Sequence, residues 1–104
     1  MVHLKTTYRG IAKGIHNDDG IYSFFNSTSE HVLTITQRQG NGFVGTLVSV
    51  VNETLTFFVL PNNLIAGQGY EEDQTPFNIT GNIDHCKLYL VLAKADKIVE
   101  LILH

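Results

Sequence analysis

The sequence predicts an all-β fold, an antiparallel up-and-down barrel of seven or eight strands that forms one domain over residues 1–104. Short runs rich in Thr, Val, Ile, Phe and Tyr recur along the chain, and several of them alternate apolar with polar side chains. Turn residues separate these runs at short intervals, which is typical of consecutive antiparallel strands. Hydrophobic residues make up 43% of the chain, enough to fill the core of one small domain. A small β-sandwich is the alternative arrangement of the same strands.

The N-terminal third is predicted to contain two strands. Residues 3–15 form the first, in which two internal glycines indicate a bend or bulge. The turn at residues 16–20 ends in Asp-Gly, and a short strand follows at residues 21–26. The polar residues 27–30 are expected to end this strand.

The middle of the chain is predicted to be a three-stranded antiparallel meander. Residues 32–37 alternate between apolar residues and threonine, the pattern of a strand with one buried face. The dipeptide Asn41-Gly42 comes next, and Asn-Gly between two such runs is the strongest short hairpin signal. Residues 43–51 then form the second strand. A turn around Asn52-Glu53 leads to the third strand at residues 54–60.

The segment 61–76 is predicted to be a long loop, because it combines prolines, glycines and a run of acidic residues. A short strand at residues 64–66 is the alternative for part of it. Three further strands follow, at residues 77–82, 86–94 and 97–103. The last of them also matches the spacing of a helix, although its β-branched residues favour a strand.

The last two predicted strands are apolar on both faces. Cys86, Leu88, Leu90 and Leu92 share one face of the first of them, while Tyr89, Val91 and Ala93 share the other. A small barrel buries only its inner face, so we expect the chain to form a homo-oligomer through the outer faces of these strands. The alternative is that the long loop or the N-terminus covers them. The same parity predicts Cys86 to be a buried core residue.

Residues 20–50 resemble the opening of avidin-like and lipocalin-like (calycin) barrels. The residues that carry the resemblance are Gly20-Ile21-Tyr22, the strand 32–37 and the run Gly42-Phe43-Val44-Gly45-Thr46-Leu47. Those families begin with a Gly-x-Trp strand followed by a hairpin of the form L-x-I-x-Q and G-x-x-x-G-T. The resemblance implies a barrel, oligomer formation through late strands and binding at a barrel mouth. Tyr22 stands in place of the tryptophan, and the chain has no Trp for the aromatic cage in which avidin-like proteins hold biotin, so biotin is not the expected ligand.

We expect a non-enzymatic protein that binds a small, partly apolar molecule at the barrel mouth near residues 61–76. The candidate ligand-binding residues are the aromatic residues Tyr22, Phe24, Phe43 and Phe57, with Tyr70 as part of a lid. The alternative function is a protein-interaction module, such as a small protease inhibitor or effector. A cofactor-free barrel cyclase or isomerase is a third possibility, although the sequence shows no convergent set of acids and bases for it.

Several classes of function and partner are not expected. The net charge of -3 argues against nucleic-acid binding, and no segment has the roughly 18 consecutive apolar residues of a membrane helix. The Gly-x-Gly-x-x-Gly motif at residues 40–45 precedes a strand, so no helix N-terminus is available for a phosphate. The five histidines lack metal-ligand spacing, so neither a metal nor a cofactor is expected.

The expected location is the cytoplasm. The N-terminal residues do not have the pattern of a secretory signal, and a lone cysteine is typical of a reducing compartment. Three N-x-S/T sequons, at Asn26, Asn52 and Asn78, would instead suit a secreted protein, which is the alternative.

Overall fold

The computed structural model describes residues 4–18 and 21–104, with the side chains of residues 15–29 outside the described part. The chain forms a closed barrel of eight antiparallel strands in which each strand pairs with its neighbours in sequence and β1 pairs with β8. This confirms the predicted barrel over the sandwich. The strands are β1 (Thr7–Asp18), β2 (Ile21–Gln39), β3 (Gly42–Val48), β4 (Asn52–Val59), β5 (Leu64–Tyr70), β6 (Pro76–Asp84), β7 (Lys87–Ala93) and β8 (Lys97–Leu103). None of the described residues form a helix long and apolar enough to cross a membrane.

The barrel interior is filled by alternate side chains of its strands. In β4, for example, Glu53, Leu55, Phe57 and Val59 are buried while the residues between them are exposed. This alternation follows from the two-residue repeat of an extended strand, which sends successive side chains to opposite faces of the sheet. The buried hydrophobic side chains make a single cluster, as expected for a barrel of eight strands, whose interior is just wide enough for side chains to fill.

One end of the barrel is covered, and we call it the closed end. It carries the start of β1 and the connections at residues 40–41, 60–63 and 85–86. Leu4, just before β1, is fully buried and belongs to the core cluster. Arg38 donates a hydrogen bond from Nη1 to the Leu4 carbonyl oxygen at 2.6 Å and lies over the Phe43 ring. The N-terminal segment is thereby fixed over this end of the core.

The other end, which we call the open end, carries the described connections at residues 49–51, 71–75 and 94–96. The strand β2 extends past the end of its pairing with β3, which stops at Val32 opposite Val48, and its earlier residues pair only with β1. No segment equivalent to Leu4 covers the interior here among the described residues. A cavity therefore remains at this end.

The predicted turn between the first two strands is confirmed, but the predicted end of the second strand at residues 27–30 is wrong. β2 runs continuously from Ile21 to Gln39, and the polar residues 27–30 lie within it. Its pairing with β1 shifts there, because Ile11 is opposite Glu30 whereas Lys13 is opposite Asn26. A bulge accommodates the extra residues in the strand, so the polar run bends β2 and does not end it.

The predicted long loop at residues 61–76 is also wrong, because β5 occupies Leu64–Tyr70 and pairs on both sides. The alternative of a strand at residues 64–66 is confirmed, and the strand continues beyond it. Two of the glycines that favoured a loop lie at close contacts in this strand. A Cβ on Gly67 would lie 2.1 Å from the Thr56 carbonyl oxygen, and one on Gly69 would lie 2.3 Å from the Phe77 ring. Glycine is used here for space between neighbours, not for a turn.

The C-terminal predictions divide. The helical alternative is wrong, since β8 pairs with both β7 and β1. Cys86 is exposed in the turn at residues 85–86, before β7 begins, so its predicted burial is wrong too. The two apolar faces are confirmed: Leu88, Leu90 and Leu92 are buried, while Tyr89 and Ile98 are 39% and 43% exposed on the outside. Neither the segment 61–76 nor Leu4 covers this outer face, because both have other places in the fold.

Candidate functional site

A cavity of about 300 Å³ opens at the open end of the barrel, and we call it the open-end cavity. Its apolar wall is made of Ala12, Leu92 and Val99, which are all buried members of the core cluster. Three charged residues, Glu53, Lys94 and Lys97, also line it. The remaining lining residues are His31, Ser49, Val50 and Val51.

Strand geometry directs the side chains of Glu53 and Lys94 into this cavity. Glu53 is the first inward residue of β4 and is followed on the same face by Leu55 and Phe57. Lys94 comes directly after β7 and continues the inward parity of Leu90 and Leu92. Since residues two apart on an extended strand share a face, both side chains enter the barrel interior.

Lys94 and Glu53 form a buried ion pair. The ammonium Nζ donates a hydrogen bond to Oε2 of the carboxylate, and the two side chains are only 7% and 5% exposed. The Lys94 Nζ also lies 5.0 Å from the centroid of the Phe77 ring, within the range of a cation–π interaction. Each charge is thus balanced by the other, which is what permits both to lie in the interior.

The ion pair leaves hydrogen-bonding capacity unused. A carboxylate has two acceptor oxygens, and an ammonium group has three N–H donors. Among the described residues, the one hydrogen-bond partner of the Glu53 side chain is Lys94, and the one partner of the Lys94 side chain is Glu53. Within the described part of the chain, the second oxygen of Glu53 and the other N–H groups of Lys94 therefore have no hydrogen-bond partner and can bind a molecule in the cavity.

The turns around the cavity are fixed by polar contacts. The backbone N–H of Asn52 donates to Oε1 of Glu72 at 2.6 Å, which ties the turn at 71–75 to the start of β4. Within that turn the Thr75 hydroxyl and then its backbone N–H donate to the Asp73 carboxylate, and these bonds lower the pKa of Asp73. At the rim, Val50 is 84% exposed. The open end thus combines an ordered polar turn with an exposed apolar side chain at its rim.

The sequence-predicted aromatic residues are not gathered at this cavity. Phe43 and Phe57 are buried in the core, where their rings stack with centroids 5.7 Å apart, and neither lines the open-end cavity. Tyr70 is the last residue of β5 and lies on the outer surface. The side chains of Tyr22 and Phe24 lie outside the described residues. The turn at 71–75, which is part of the predicted ligand-binding segment, does belong to the open end.

The sequence interpretation missed Glu53 and Lys94. Asn52-Glu53-Thr54 has the composition of a turn, which concealed that Glu53 shares the inward parity of Leu55 and Phe57. A charged residue at an inward position of a strand is the signal that could have found both. His31 lines the open-end cavity, whereas His85 lies at the closed end. The described residues contain no cluster suited to a metal.

Two other depressions lie on the outer surface. One, beside β2 and β3, includes Arg38 and Phe58; the other, beside β1 and β8, includes Arg9 and Ile102. Both lack a buried charged side chain, so the open-end cavity is the best candidate.

No protein-family model matches the sequence, and no curated protein is detectably similar to it. The closed barrel is compatible with the calycin-like architecture that residues 20–50 resemble.

Proposed function

We propose that this protein binds a small, partly apolar molecule in the open-end cavity and does not act as an enzyme. The observation that carries the proposal is the combination of an apolar wall with a buried ion pair that has unused donors and acceptors. Ligand sites are typically concave and mostly apolar, with a few polar groups that fix the orientation of the ligand. The open-end cavity has this composition.

The size of the cavity limits the ligand. A volume of about 300 Å³ is at the lower end of the range for sites that bind small organic molecules, so the ligand is expected to be small. The exposed rim residues Val50 and Val51 leave room for a larger molecule to extend towards solvent. A single ring with one polar substituent, or an aliphatic molecule of similar size, suits the enclosed part.

We also propose that the protein is a homo-oligomer. Ile11, Ile102 and Tyr89 are in register across β1, β8 and β7, and Ile98 is exposed nearby on the same outer face. A second copy that packs on this face would remove its apolar surface from water. The exposed, unpaired thiol of Cys86 fits the reducing conditions of the cytoplasm, which is the proposed location.

Native mass spectrometry of freshly purified protein tests both parts of the proposal. We expect two or more subunits and a reproducible added mass, and we expect the double variant Glu53→Gln/Lys94→Met to lose that mass. The control is Arg9→Met/Glu30→Gln, which removes an exposed ion pair on the outer surface and should keep the added mass. An added mass that the cavity variant retains in full would overturn the assignment of the site.

A protein-interaction module is the second candidate, and the exposed valine residues at the open end favour it. Val48, Val50 and Val51 present apolar side chains to solvent around the β3–β4 turn. Such a cluster can enter a pocket on a partner protein. A monomer without added mass, whose cavity residues respond to no small molecule, would favour this candidate over ligand binding.

A further inference from the structure

The ion pair in the open-end cavity defines the polar group of the ligand. We infer that the cavity takes neutral molecules that carry an amide-like group, with a hydrogen-bond donor and an acceptor side by side, on an apolar body. This inference rests on the proposed ligand-binding function and deepens it.

The hydrogen-bonding requirement comes from Glu53 and Lys94 together. The free oxygen of Glu53 can only accept a hydrogen bond, while the free N–H groups of Lys94 can only donate. Because the two groups are in direct contact, these unused sites are close to each other. An amide presents an N–H and a carbonyl oxygen side by side, so one amide can bind both residues at once without breaking their ion pair.

The charge requirement comes from the burial of the pair. Glu53 and Lys94 neutralise each other, and both side chains are more than nine-tenths buried. A ligand carboxylate would compete with Glu53 for Lys94. The other lysine on the lining, Lys97, is only partly buried, so water screens it and it replaces that counter-charge incompletely. A ligand ammonium would likewise compete with Lys94 for Glu53. A buried charge without a partner is strongly unfavourable, so a neutral group is preferred to either ion.

The apolar body follows from the other wall of the cavity. Ala12, Leu92 and Val99 offer no polar side-chain atoms, and they are buried next to the charged pair. A ligand must therefore cover apolar surface within a few ångströms of its polar group. An aromatic or branched aliphatic amide meets both demands within about 300 Å³.

Four probes of nearly equal size separate these requirements. Benzamide carries the neutral donor and acceptor, benzoate carries an anionic acceptor, benzylammonium carries a cationic donor, and toluene has only the apolar body. Each is titrated into the ¹⁵N-labelled intact protein, and the amide shifts of the lining residues Ser49, Val50 and Val51 give the dissociation constant. We expect benzamide to bind at least about tenfold more tightly than each of the other three, since hydrogen bonds to charged groups are among the stronger ones.

Two variants show that the ion pair provides this preference. Glu53→Gln/Lys94→Met should bring benzamide and toluene to within about threefold of each other while toluene binding is retained. Arg9→Met/Glu30→Gln, which removes the exposed ion pair, should keep the wild-type preference. If the cavity variant does not fold, as judged by its spectrum, the four probes on the wild-type protein decide alone.

The failures of the two proposals are distinguishable. Benzoate, benzylammonium or toluene binding as tightly as benzamide would overturn the ligand class and leave the open-end cavity as a binding site. A complete absence of shifts at the lining residues with all four probes would overturn the proposed function itself.

Discussion

Lys94 donates a hydrogen bond to Glu53 across the open end of the barrel, although the two residues are 41 positions apart in the chain. Glu53 is on β4 and Lys94 follows β7, two strands that do not pair with each other. The ion pair therefore connects parts of the wall that share no backbone hydrogen bonds. Its placement beside the cavity makes it both a structural link and the polar surface of the candidate site.

Breaking this ion pair should cost more than removing it entirely. We expect Lys94→Met and Glu53→Gln each to lower the free energy of unfolding by about 3 kcal/mol, because each leaves one buried group without its partner. The double variant should lose less than either single variant. Urea unfolding of the four proteins gives this coupling energy as a double-mutant cycle.

The exposed pair Arg9 and Glu30 serves as the control for that cycle. Its side chains are about 60% exposed, and its N–O distance is 3.0 Å. Water and salt screen such a pair, so its removal should change stability by less than about 1 kcal/mol. Strictly additive losses in the buried pair would contradict the structural link described above.

Gly69 determines where the Phe77 ring can lie beneath Lys94. A Cβ at position 69 would be 2.3 Å from a Phe77 ring atom, so Gly69→Ala must displace the ring that the ammonium contacts. We expect a loss of about 1–3 kcal/mol in urea unfolding, as for other overpacked cores. Gly40→Ala is the comparison, because no atom lies within 4 Å of the Cβ there and only its positive φ is unfavourable. A Gly69→Ala protein as stable as the wild type would show that Phe77 can move freely.

Phe57 is expected to stabilise the barrel and not to bind the ligand. It is fully buried against Phe43, so Phe57→Ala should cost about 3–5 kcal/mol in urea unfolding, whereas Phe58→Ala on the half-exposed outer face should cost much less. Phe57→Leu, which keeps most of the volume, should leave benzamide affinity within about twofold because Phe57 does not line the cavity. A larger loss of affinity in that variant would restore the sequence-based assignment of Phe57 to the binding site.

The barrel could be predicted from sequence because most of its information is local. The Asn41-Gly42 sequence and the alternation in residues 32–37 each specify a strand or hairpin without reference to the rest of the chain, although the turn itself is Gly40-Asn41. The errors occur where contacts with residues distant in the sequence determine the local structure. Glycine is common in loops, so Gly69 favoured a loop in the sequence. The structure shows instead that the Phe77 ring occupies the space that a side chain at position 69 would need. The polar residues 27–30 indicate a turn in the sequence. In the structure they lie in β2, where a bulge in the pairing with β1 accommodates them.

The site was harder to predict than the fold for the same reason. Aromatic residues were natural candidates for a barrel ligand, but Phe43 and Phe57 fill the core instead. Glu53 and Lys94 are unremarkable in sequence, and only closure of the barrel brings them together. The alternation along each strand predicts that both side chains point inward, but it does not predict that they form an ion pair.

The outer face of β7 and β8 should mediate self-association. We expect Tyr89→Lys to dissociate the proposed oligomer, because a charge would be placed in the apolar row that Tyr89 forms with Ile102 and Ile11. Light scattering after size exclusion measures the mass of each variant. Phe58→Lys is the matched control, since Phe58 is also an outward aromatic residue but lies on β4. A wild-type protein that remains monomeric at high concentration would contradict the proposed interface.

The turn at residues 71–75 should contribute stability that depends on pH. The Thr75 hydroxyl and backbone N–H lower the pKa of Asp73 in the folded protein, so the ionised carboxylate favours folding. This contribution is present above the ordinary aspartate pKa of about 4 and is lost as the pH falls through the lower, folded-state value. We therefore expect Asp73→Ala to be slightly less stable than the wild type at pH 7, with a difference that disappears in strong acid. An NMR titration should show the pKa of Asp73 rising towards its ordinary value in Thr75→Val, because the hydroxyl is the larger cause. An unchanged titration in that variant would contradict the assignment of the hydroxyl.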